Sequence, residues 1–396
     1  AYGGERLQTS CKIMSLFPLP ALATAHSHAF QRAMRGKAQR GTAPPAGHLT
    51  AQSDDFWTWR GQMYAAATRM DPESTYQVAK VAYAELAAAG VRTVGEFHYL
   101  HHAPDGTPYD DRLILSHAVI RAAKECGLRI SLLRCAYFRA GPGRPPEPGQ
   151  RRFCDPTADA VLRDVDDLRA FYKDDPDVVI GLAPHSVRAV PPAFFKEISD
   201  YARAHDLPIH AHVSEQPRED DECVAETGRR PAELLAELGV LSPRFVGVHG
   251  TQLLPHEAKL FGEAGAFLAV CATTERDLGD GLPDLVSLRD AGVRLCTGID
   301  SHVLTDPFDD LRSLETHARL RTKKRVTFQP LTESPAEALW REGSLHGALA
   351  CGFSDVGGSV LLDREHPSLA LVDDADLLDA VVFSGSPALV RGLRID

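Results

Sequence analysis

The sequence LFPLPALATAHSHAFQR, residues 16–32, is the starting point for inferring the fold. Its apolar part, Leu16 to Ala25, is typical of a buried strand, and it ends in a pair of histidines, His26 and His28. Residues i and i+2 of a strand point to the same face, so both imidazoles can reach one metal ion from the end of the strand. Two polar residues in a turn are the alternative interpretation of this pair.

Polar side chains also follow apolar runs further along the chain. His212 ends a second apolar run and Glu215 follows three residues later, while His249 and Asp300 end two more runs. Taken alone, His249 fits a hydrogen-bonded core histidine and Asp300 fits a helix cap. The order of these groups, each at a predicted strand end, favours a shared site over coincidence.

The predicted metal ligands are three imidazoles and one carboxylate: His26, His28, His212 and Asp300. This donor set suits one divalent ion, zinc above all, with iron(II) and manganese as alternatives. No lysine ends the fourth predicted strand, where a second ion would need a bridging carbamate. Such an ion lowers the pKa of water to near neutrality. Glu215 is then close enough to shuttle a proton, and His249 to orient the nucleophile.

Eight apolar runs alternate with helical stretches along most of the chain. The predicted strands are a first strand that runs into residue 26, followed by 91–97, 129–137, 178–184, 207–213, 245–249, 266–272 and 293–299. Such alternation indicates a parallel sheet covered on both faces, and eight units indicate an α/β fold of the (β/α)₈ barrel type. The active site of such a barrel lies at the carboxyl ends of its strands. A doubly wound open sheet is the alternative, but no glycine-rich phosphate loop follows the first strand.

The barrel is predicted to span residues 20–325. Residues 1–19 and 333–396 are expected to form a small β-sandwich appendage, with a helix over 334–350 and short strands over 360–362, 369–372 and 380–384. Residues 41–47 form a loop rich in glycine and proline. Residues 139–153 form a loop long enough to be a lid or a substrate loop, and its arginines, among them Arg152, are interpreted as solvated charge.

Composition excludes several classes of function. Of 396 residues, 44% are apolar and 24% are charged, and the net charge of −11 argues against a nucleic-acid partner. No apolar run reaches the about 20 residues that span a bilayer, and no signal-peptide pattern is present, so we expect no membrane partner. The eight cysteines are scattered without a CxxC pair and are interpreted as reduced core thiols of a cytoplasmic protein.

The motifs of this chain resemble those of the amidohydrolase superfamily and, within it, the formimidoylglutamate deiminases. The His-x-His pair and the His-x-x-Glu motif at 212–215 belong to the whole superfamily. The stretches Phe56-Trp-Thr-Trp-Arg60 and Gly95-Glu-Phe-His-Tyr-Leu-His-His102 are more specific to the subgroup. The resemblance covers about residues 20–325 and includes residues 26–36, 183–188, 212–216, 273–281 and 300–302.

The resemblance implies hydrolysis of N-formimino-L-glutamate to N-formyl-L-glutamate and ammonia, a step of histidine degradation. The substrate is a dicarboxylate, and arginine binds a carboxylate through a bidentate fork. The positions that match substrate contacts are Gln31, Arg60, Tyr99, His185 and Arg188. In the mechanism that we expect, Asp300 accepts the proton of water, His249 places the nucleophile and Glu215 protonates the departing nitrogen.

The chain departs from the subgroup at its ends. The segment before the first strand is short and the stretch at 355–363 looks trimmed, so we expect a reduced small domain whose exposed apolar surface favours a homodimer. Two alternative functions stay open. Another deaminase, acting on a nucleobase or a guanidine-like group, is disfavoured by Arg60 and Arg188. A metal-binding scaffold without turnover is disfavoured by the intact Glu215 and Asp300.

Overall fold

The computed structural model describes residues 15–39 and 55–395 of the chain, and the loop predicted at residues 41–47 lies outside them. The described strands are β1 (Leu16–Pro20), β2 (Leu22–Ser27), β3 (Val91–His98), β4 (Arg129–Ala136), β5 (Val178–Pro184), β6 (Ile209–Val213), β7 (Phe245–His249), β8 (Phe267–Val270), β9 (Arg294–Thr297), β10 (Ser359–Asp363) and β11 (Val390–Arg394). Two sheets divide these strands between them.

The large sheet is a parallel barrel in which β2 to β9 follow one another in chain order. It closes where the amide of His28 donates to the carbonyl oxygen of Asp300 at 3.0 Å and the amide of Ile299 donates to that of His26 at 3.0 Å. The small sheet is antiparallel, in the order β1-β10-β11. The (β/α)₈ barrel and a separate sheet built from both ends of the chain are therefore confirmed, while the residue boundaries of the two domains stay a prediction.

At least one helix follows each strand of the barrel, and the last four helices come after its final strand. The helices are α1 (Phe56–Ala67), α2 (Pro72–Ala88), α3 (Ile114–Glu125), α4 (Ala158–Tyr172), α5 (Pro192–Ala204), α6 (Pro217–Thr227), α7 (Pro231–Glu237), α8 (Pro255–Glu263), α9 (Ala272–Leu278), α10 (Leu285–Asp290), α11 (Pro307–Thr322), α12 (Pro335–Arg341), α13 (Gly347–Ala350) and α14 (Leu377–Ser384). A π turn, Glu342–His346, joins α12 to α13, so the helix predicted over 334–350 is present.

Local sequence explains the ends of α2. The side chain of Asp71 accepts a hydrogen bond from the amide of Ser74 at 2.8 Å, and Pro72 occupies the first helical position, where its missing N–H costs nothing. Gly90 follows the helix with a φ of 90°, a conformation that favours glycine. This turn leads directly into β3, whose end lies at the active site.

The apolar run at the start of the chain forms two strands instead of the single predicted one. The run breaks at Ala21, whose amide donates to the carbonyl oxygen of Gly358 in the small sheet at 3.0 Å. Pro18 and Pro20 have no amide hydrogen to donate, which suits the edge position of β1 in that sheet. The first half of the run therefore belongs to the small sheet, and only the second half enters the barrel.

Two strands predicted near the C-terminus are wrong. Residues 380–384 lie in α14, and residues 369–372 begin at the end of a 3₁₀ turn, Pro367–Leu369. Apolar runs this short fit a helix as well as a strand, because they cover too few residues to show a period. The third strand of the small sheet is β11 instead, which the sequence concealed because Gly392 and two arginines interrupt its apolar pattern.

The C-terminal helical segment fills the amino-terminal end of the barrel. Ala348, Cys351 and Phe353 pack in one buried cluster with residues of β2, β7, β8 and β9. His210 of β6 donates from Nε2 to the carbonyl oxygen of Ala350 at 2.9 Å. The amino-terminal end of the barrel is therefore closed, and the barrel opens at the carboxyl ends of its strands, where the polar groups lie.

The cysteines and the helices can be compared with what the composition predicts. The seven cysteines in the described part of the chain are all free thiols. Within residues 15–39 and 55–395, no helix combines the length and the apolar composition that crossing a lipid bilayer requires.

Candidate active site

Four buried side chains converge at the carboxyl end of the barrel. His26 and His28 come from the end of β2, His212 comes from β6, and Asp300 follows β9. The Nε2 atoms of His26 and His28 each lie 3.3 Å from Oδ1 of Asp300, and the Nε2 atoms of His28 and His212 lie 3.4 Å apart. One ligand atom from each of the four residues lies within 4.8 Å of the others, a spacing that one metal ion can bridge.

Hydrogen bonds orient these imidazoles. Nδ1 of His28 donates to the carbonyl oxygen of Phe97 at 2.9 Å, and Nδ1 of His212 donates to that of His185 at 3.0 Å, so both residues direct an unprotonated Nε2 at the cluster. His26 is fully buried, yet neither of its ring nitrogens has a hydrogen-bond partner. A buried ring nitrogen without a hydrogen-bond partner indicates a missing ligand, and a bound metal ion would be such a ligand.

The electrostatics of the four residues suit a cation. Burial lowers the pKa of His26 to about 3 and also lowers the pKa values of His28 and His212, so the three imidazoles are neutral and able to ligate. Burial opposes ionisation of Asp300, but the close approach of Nε2 of His26 and the surrounding imidazoles hold the pKa of this carboxyl below its ordinary value. Three neutral imidazoles and one carboxylate fit a divalent metal ion.

A second group of carboxylates surrounds His249. Its Nε2 lies 3.6 Å from Oε1 of Glu215 and 3.9 Å from Oδ2 of Asp300, and its Nδ1 lies 3.3 Å from Oε1 of Glu275. Burial disfavours the charged imidazolium, but the charge of Glu215 and hydrogen bonds to Cys271 and Glu275 raise the pKa of His249 well above its ordinary value. The ring is thus placed to hold a proton next to both Glu215 and Asp300.

The backbone at these strand ends is strained. His249 has a φ of 71°, Asp300 of 53° and Ser214 of 50°, in the left-handed region that residues other than glycine seldom adopt. Such strain persists only where surrounding structure enforces it, and it concentrates at functional sites. In this chain it occurs where the barrel strands turn their polar side chains toward one point.

A pocket opens above the four converging residues. Two arginines lie in its wall, with the guanidinium of Arg60 4.6 Å and that of Arg188 5.5 Å from the ring centre of Trp57. The buried Nη1 of Arg60 and Nε of Arg188 have no hydrogen-bond partner. The pocket is therefore bipolar, with unpaired guanidinium donors in its wall and carboxylates at its inner end.

The remaining residues predicted to contact substrate also line the pocket. Gln31 donates from Nε2 to the hydroxyl of Tyr99 at 3.0 Å, while its buried Oε1 has no partner. The ring of His185 lies 4.7 Å from that of His212. The structure thus brings the residues predicted as metal ligands, proton carriers and substrate contacts to one end of the barrel.

The long loop at residues 139–153 forms a wall of the pocket. Gln150 donates from Nε2 to the hydroxyls of Tyr64 at 2.9 Å and Tyr137 at 2.8 Å, both of which line the pocket. The interpretation of Arg152 as solvated charge is wrong, because this residue is fully buried and donates to the carbonyl oxygen of Met70 at 3.0 Å. The loop is packed against the segment that carries Arg60.

Two acidic residues of the site were not predicted. Glu275 accepts hydrogen bonds from the amide of Cys271 at 2.8 Å and from His249, and Asp280 places a ligand atom within 4.8 Å of Glu215 and His249. Burial and the charge of Glu215 raise the pKa of Asp280 to about 9. Both acids belong to the stretch 273–281, directly after β8, so the expectation that active-site residues follow barrel strands would have found them.

Comparisons with known proteins agree with this geometry. The sequence profile described as the amidohydrolase family matches residues 17–387. The formimidoylglutamate deiminase of Pseudomonas aeruginosa is 36% identical over 392 residues, which cover 95% of this chain and 83% of that protein. The 8-oxoguanine deaminase of the same organism is 29% identical over 93% of this chain and 76% of its own length.

Solved structures show the same fold. An amidohydrolase from Brucella melitensis superimposes with a TM-score of 0.85 at 33% identity, over 95% of this chain and 84% of that one. A zinc-bound adenosine deaminase from Xanthomonas campestris superimposes with a TM-score of 0.77 at 22% identity, over 96% of this chain and 79% of that one. The barrel, the cluster of histidines and aspartate, and the match over almost the whole sequence lead to one conclusion: the chain belongs to the amidohydrolase family and is a hydrolase that acts on carbon–nitrogen bonds.

Proposed function

We propose that this hydrolase is a metal-dependent deaminase that converts N-formimino-L-glutamate and water to N-formyl-L-glutamate and ammonia, a step of histidine degradation. The observation that carries the proposal is the bipolar pocket. Arg60 and Arg188 offer unpaired donors in its wall, and Glu215 and Asp300 lie at its inner end. This charge pattern matches a substrate with two carboxylates at one end and a protonated formimino group at the other. The identity of 36% to the Pseudomonas aeruginosa deiminase supports the same substrate.

The substrate lies with its carboxylates toward the two guanidinium groups. Arg60 and Arg188 are held against the face of Trp57, so their donors are oriented before the substrate arrives. The buried Oε1 of Gln31 and the ring of His185 supply further polar contacts. A neutral nucleobase would leave both guanidinium groups without an anionic partner, which disfavours that class of substrate.

The reaction adds water to the formimino carbon and breaks the bond to the terminal nitrogen. His26, His28, His212 and Asp300 would hold a divalent ion, which we propose to be zinc, as in the related adenosine deaminase. When bound, the ion polarises a water molecule and makes it a stronger nucleophile at neutral pH.

Two side chains move protons in this scheme, and a third positions the attacking water. Oδ2 of Asp300 accepts a proton from the attacking water, and Nε2 of His249, 3.9 Å away, holds that water in place. Glu215 lies 3.6 Å from His249 and delivers a proton to the terminal nitrogen, which then leaves as ammonia. Burial raises the pKa of Glu215, so this carboxyl is able to carry the proton that it donates.

The test is ammonia release from N-formimino-L-glutamate by zinc-loaded protein, before and after chelation. We expect release that chelation abolishes and added zinc restores. Arg60→Ala should lower kcat/KM about tenfold to hundredfold, because it removes charged hydrogen bonds to a substrate carboxylate. Glu215→Gln should lower kcat about a hundredfold or more, because it removes the proton donor.

The matched control is Arg69→Ala, which removes the same charge from the exposed turn that follows α1. It should leave kcat and KM close to those of the unaltered protein. A folded, zinc-loaded protein that releases no ammonia from this substrate would contradict the proposed function. Retained metal with no turnover of any formimino, guanidino or nucleobase substrate would favour the scaffold alternative.

A further inference from the structure

Asp280 is a buried carboxyl group beside Glu215 and His249 to which the mechanism above gives no task. It lies just beyond α9 and is only 4% exposed. Its backbone is fixed on both sides, since its amide donates to the carbonyl oxygen of Glu275 at 3.0 Å and its carbonyl oxygen accepts from Gln252 at 2.9 Å. Its Oδ1 accepts a hydrogen bond from Gln216. The position of the carboxyl group is therefore set by the protein before any ligand binds.

The other oxygen of this carboxyl group has no partner. Oδ2 of Asp280 is buried and accepts no hydrogen bond. Leaving such an oxygen unpaired away from water is costly, so its presence indicates a missing donor. One ligand atom each from Asp280, Glu215 and His249 lies within 4.8 Å of the other two, so the missing donor belongs next to Glu215.

A nitrogen with two hydrogens fits this arrangement. Two acceptor oxygens within 4.8 Å of each other can both be reached by one nitrogen at about 2.8–3.0 Å from each, which is the usual length of a charged hydrogen bond. A cationic nitrogen also favours the ionised form of the Asp280 carboxyl group, which burial and the charge of Glu215 otherwise disfavour, whereas a neutral amide does not. The terminal nitrogen of a protonated amidine has both the hydrogens and the charge.

We propose, on the basis of the function proposed above, that Asp280 is a specificity-determining residue that binds, together with Glu215, the terminal nitrogen of cationic amidine substrates. Its Oδ2 accepts one hydrogen of that nitrogen, and an oxygen of the Glu215 carboxyl group accepts the other. Asp280 thus selects a cationic head group over a neutral one of the same shape. The arginines in the pocket wall select the carboxylates at the opposite end of the same molecule.

The test compares two inhibitors derived from L-glutamate, in which a guanidino group or a ureido group replaces the amino group. The two share shape and both carboxylates, and differ in the charge of the head group. Their inhibition constants are measured with zinc-loaded protein and with Asp280→Asn. We expect this variant to bind the guanidino compound about tenfold to hundredfold more weakly, as the loss of one charged hydrogen bond predicts. Its affinity for the ureido compound should change by less than about threefold.

Asp277→Asn is the matched control, because Asp277 lies in α9 shortly before Asp280, has the same side chain and pairs with Gln39 away from the cluster. It should leave both inhibition constants unchanged. Equal losses for the two inhibitors in Asp280→Asn, or no loss for either, would overturn the inference. The inference would also be overturned if Asp280→Asn bound one equivalent of metal less than the unaltered protein, because Asp280, Glu215 and His249 would then hold an ion.

Two measurements separate this inference from the proposed function. Ammonia release by the unaltered protein tests the function itself, and its absence would remove the basis of both. If the unaltered protein releases ammonia but Asp280→Asn loses affinity equally for both inhibitors, only the role of Asp280 is overturned. If Asp280→Asn fails to fold, Asp280→Ser replaces it in the same comparison with the same expected outcome.

Discussion

Replacing Gly298 by alanine would press a methyl group against a metal-ligand histidine. Gly298 follows β9, and a Cβ atom built there lies 2.8 Å from Cβ of His26 and 2.7 Å from Sγ of Cys271. Ordinary contacts of a Cβ atom begin at 3.4 Å, so both neighbours must retreat by at least about 0.6 Å. Metal–ligand distances tolerate only about 0.2 Å. The φ of Gly298 lies outside the left-handed region, so the expected effect comes from packing and not from the backbone.

We expect Gly298→Ala to lower zinc affinity about tenfold to hundredfold, as disturbance of a ligand's support does in other metal sites. Overpacking should also lower the free energy of unfolding by about 1–3 kcal/mol. Competition against a coloured chelator measures the affinity, and urea unfolding of the metal-free protein measures the stability. The control is Gly61→Ala in α1, where a Cβ atom meets nothing within 4 Å and zinc affinity should not change. A Gly298→Ala variant that binds zinc as tightly as the unaltered chain would refute the reasoning.

Three further changes test other parts of the molecule. Arg134 is 1% exposed and donates to two buried aspartates, so Arg134→Met should lower the free energy of unfolding in urea by about 3–5 kcal/mol. Arg229→Met removes an exposed ion pair and should cost less than about 1 kcal/mol, and equal costs would contradict the argument. Glu275→Gln removes the charge behind His249, and kcat for ammonia release should fall about tenfold to hundredfold with KM little changed; an unchanged kcat would show that this charge is not used. Burial raises the pKa of Asp310 from 3.8 to about 8 in the folded protein. As pH rises between these two values, the carboxyl group loses its proton in the unfolded chain but keeps it in the folded protein. The free energy of unfolding therefore falls across that pH range. Asp310→Asn should therefore melt higher than the unaltered protein at about pH 8 and almost equally at about pH 4; a difference independent of pH, measured by calorimetry, would count against this account.

The metal-binding and catalytic candidates could be predicted because their signal is local. His26, His28 and His212 each stand at the end of an apolar run, and the end of a parallel strand is where a barrel places its active site. The spacing of the first two histidines on one strand already puts them on one face. For these residues, the pattern of the sequence and the requirement of the fold agree.

For the two acids behind His249, the end of a strand predicts the position in the chain but not the contacts. Glu275 and Asp280 lie in or just beyond a helix, α9, that the sequence pattern did not predict, and their partners Glu215 and His249 lie at the ends of other strands. The spacing of residues within one segment does not predict which imidazole nitrogen will contact which carboxylate of another segment. Arg152 shows the same limit, since its burial depends on the packing of a loop against the residues that follow α1.

The amino-acid sequence is enough to predict the eight-unit barrel, the candidate metal ligands and the end of the barrel where they lie. Apolar periodicity and strand ends are patterns of neighbouring residues, so they can be recognised without the fold. Only the tertiary structure decided that residues 16–25 divide between two sheets and that residues 380–384 form a helix. It also decided that residues about 270 positions apart, such as His28 and Asp300, lie 3.3 Å from each other. The physical reason is that closure of the sheet and packing of short apolar runs are set by distant partners, which no local pattern specifies.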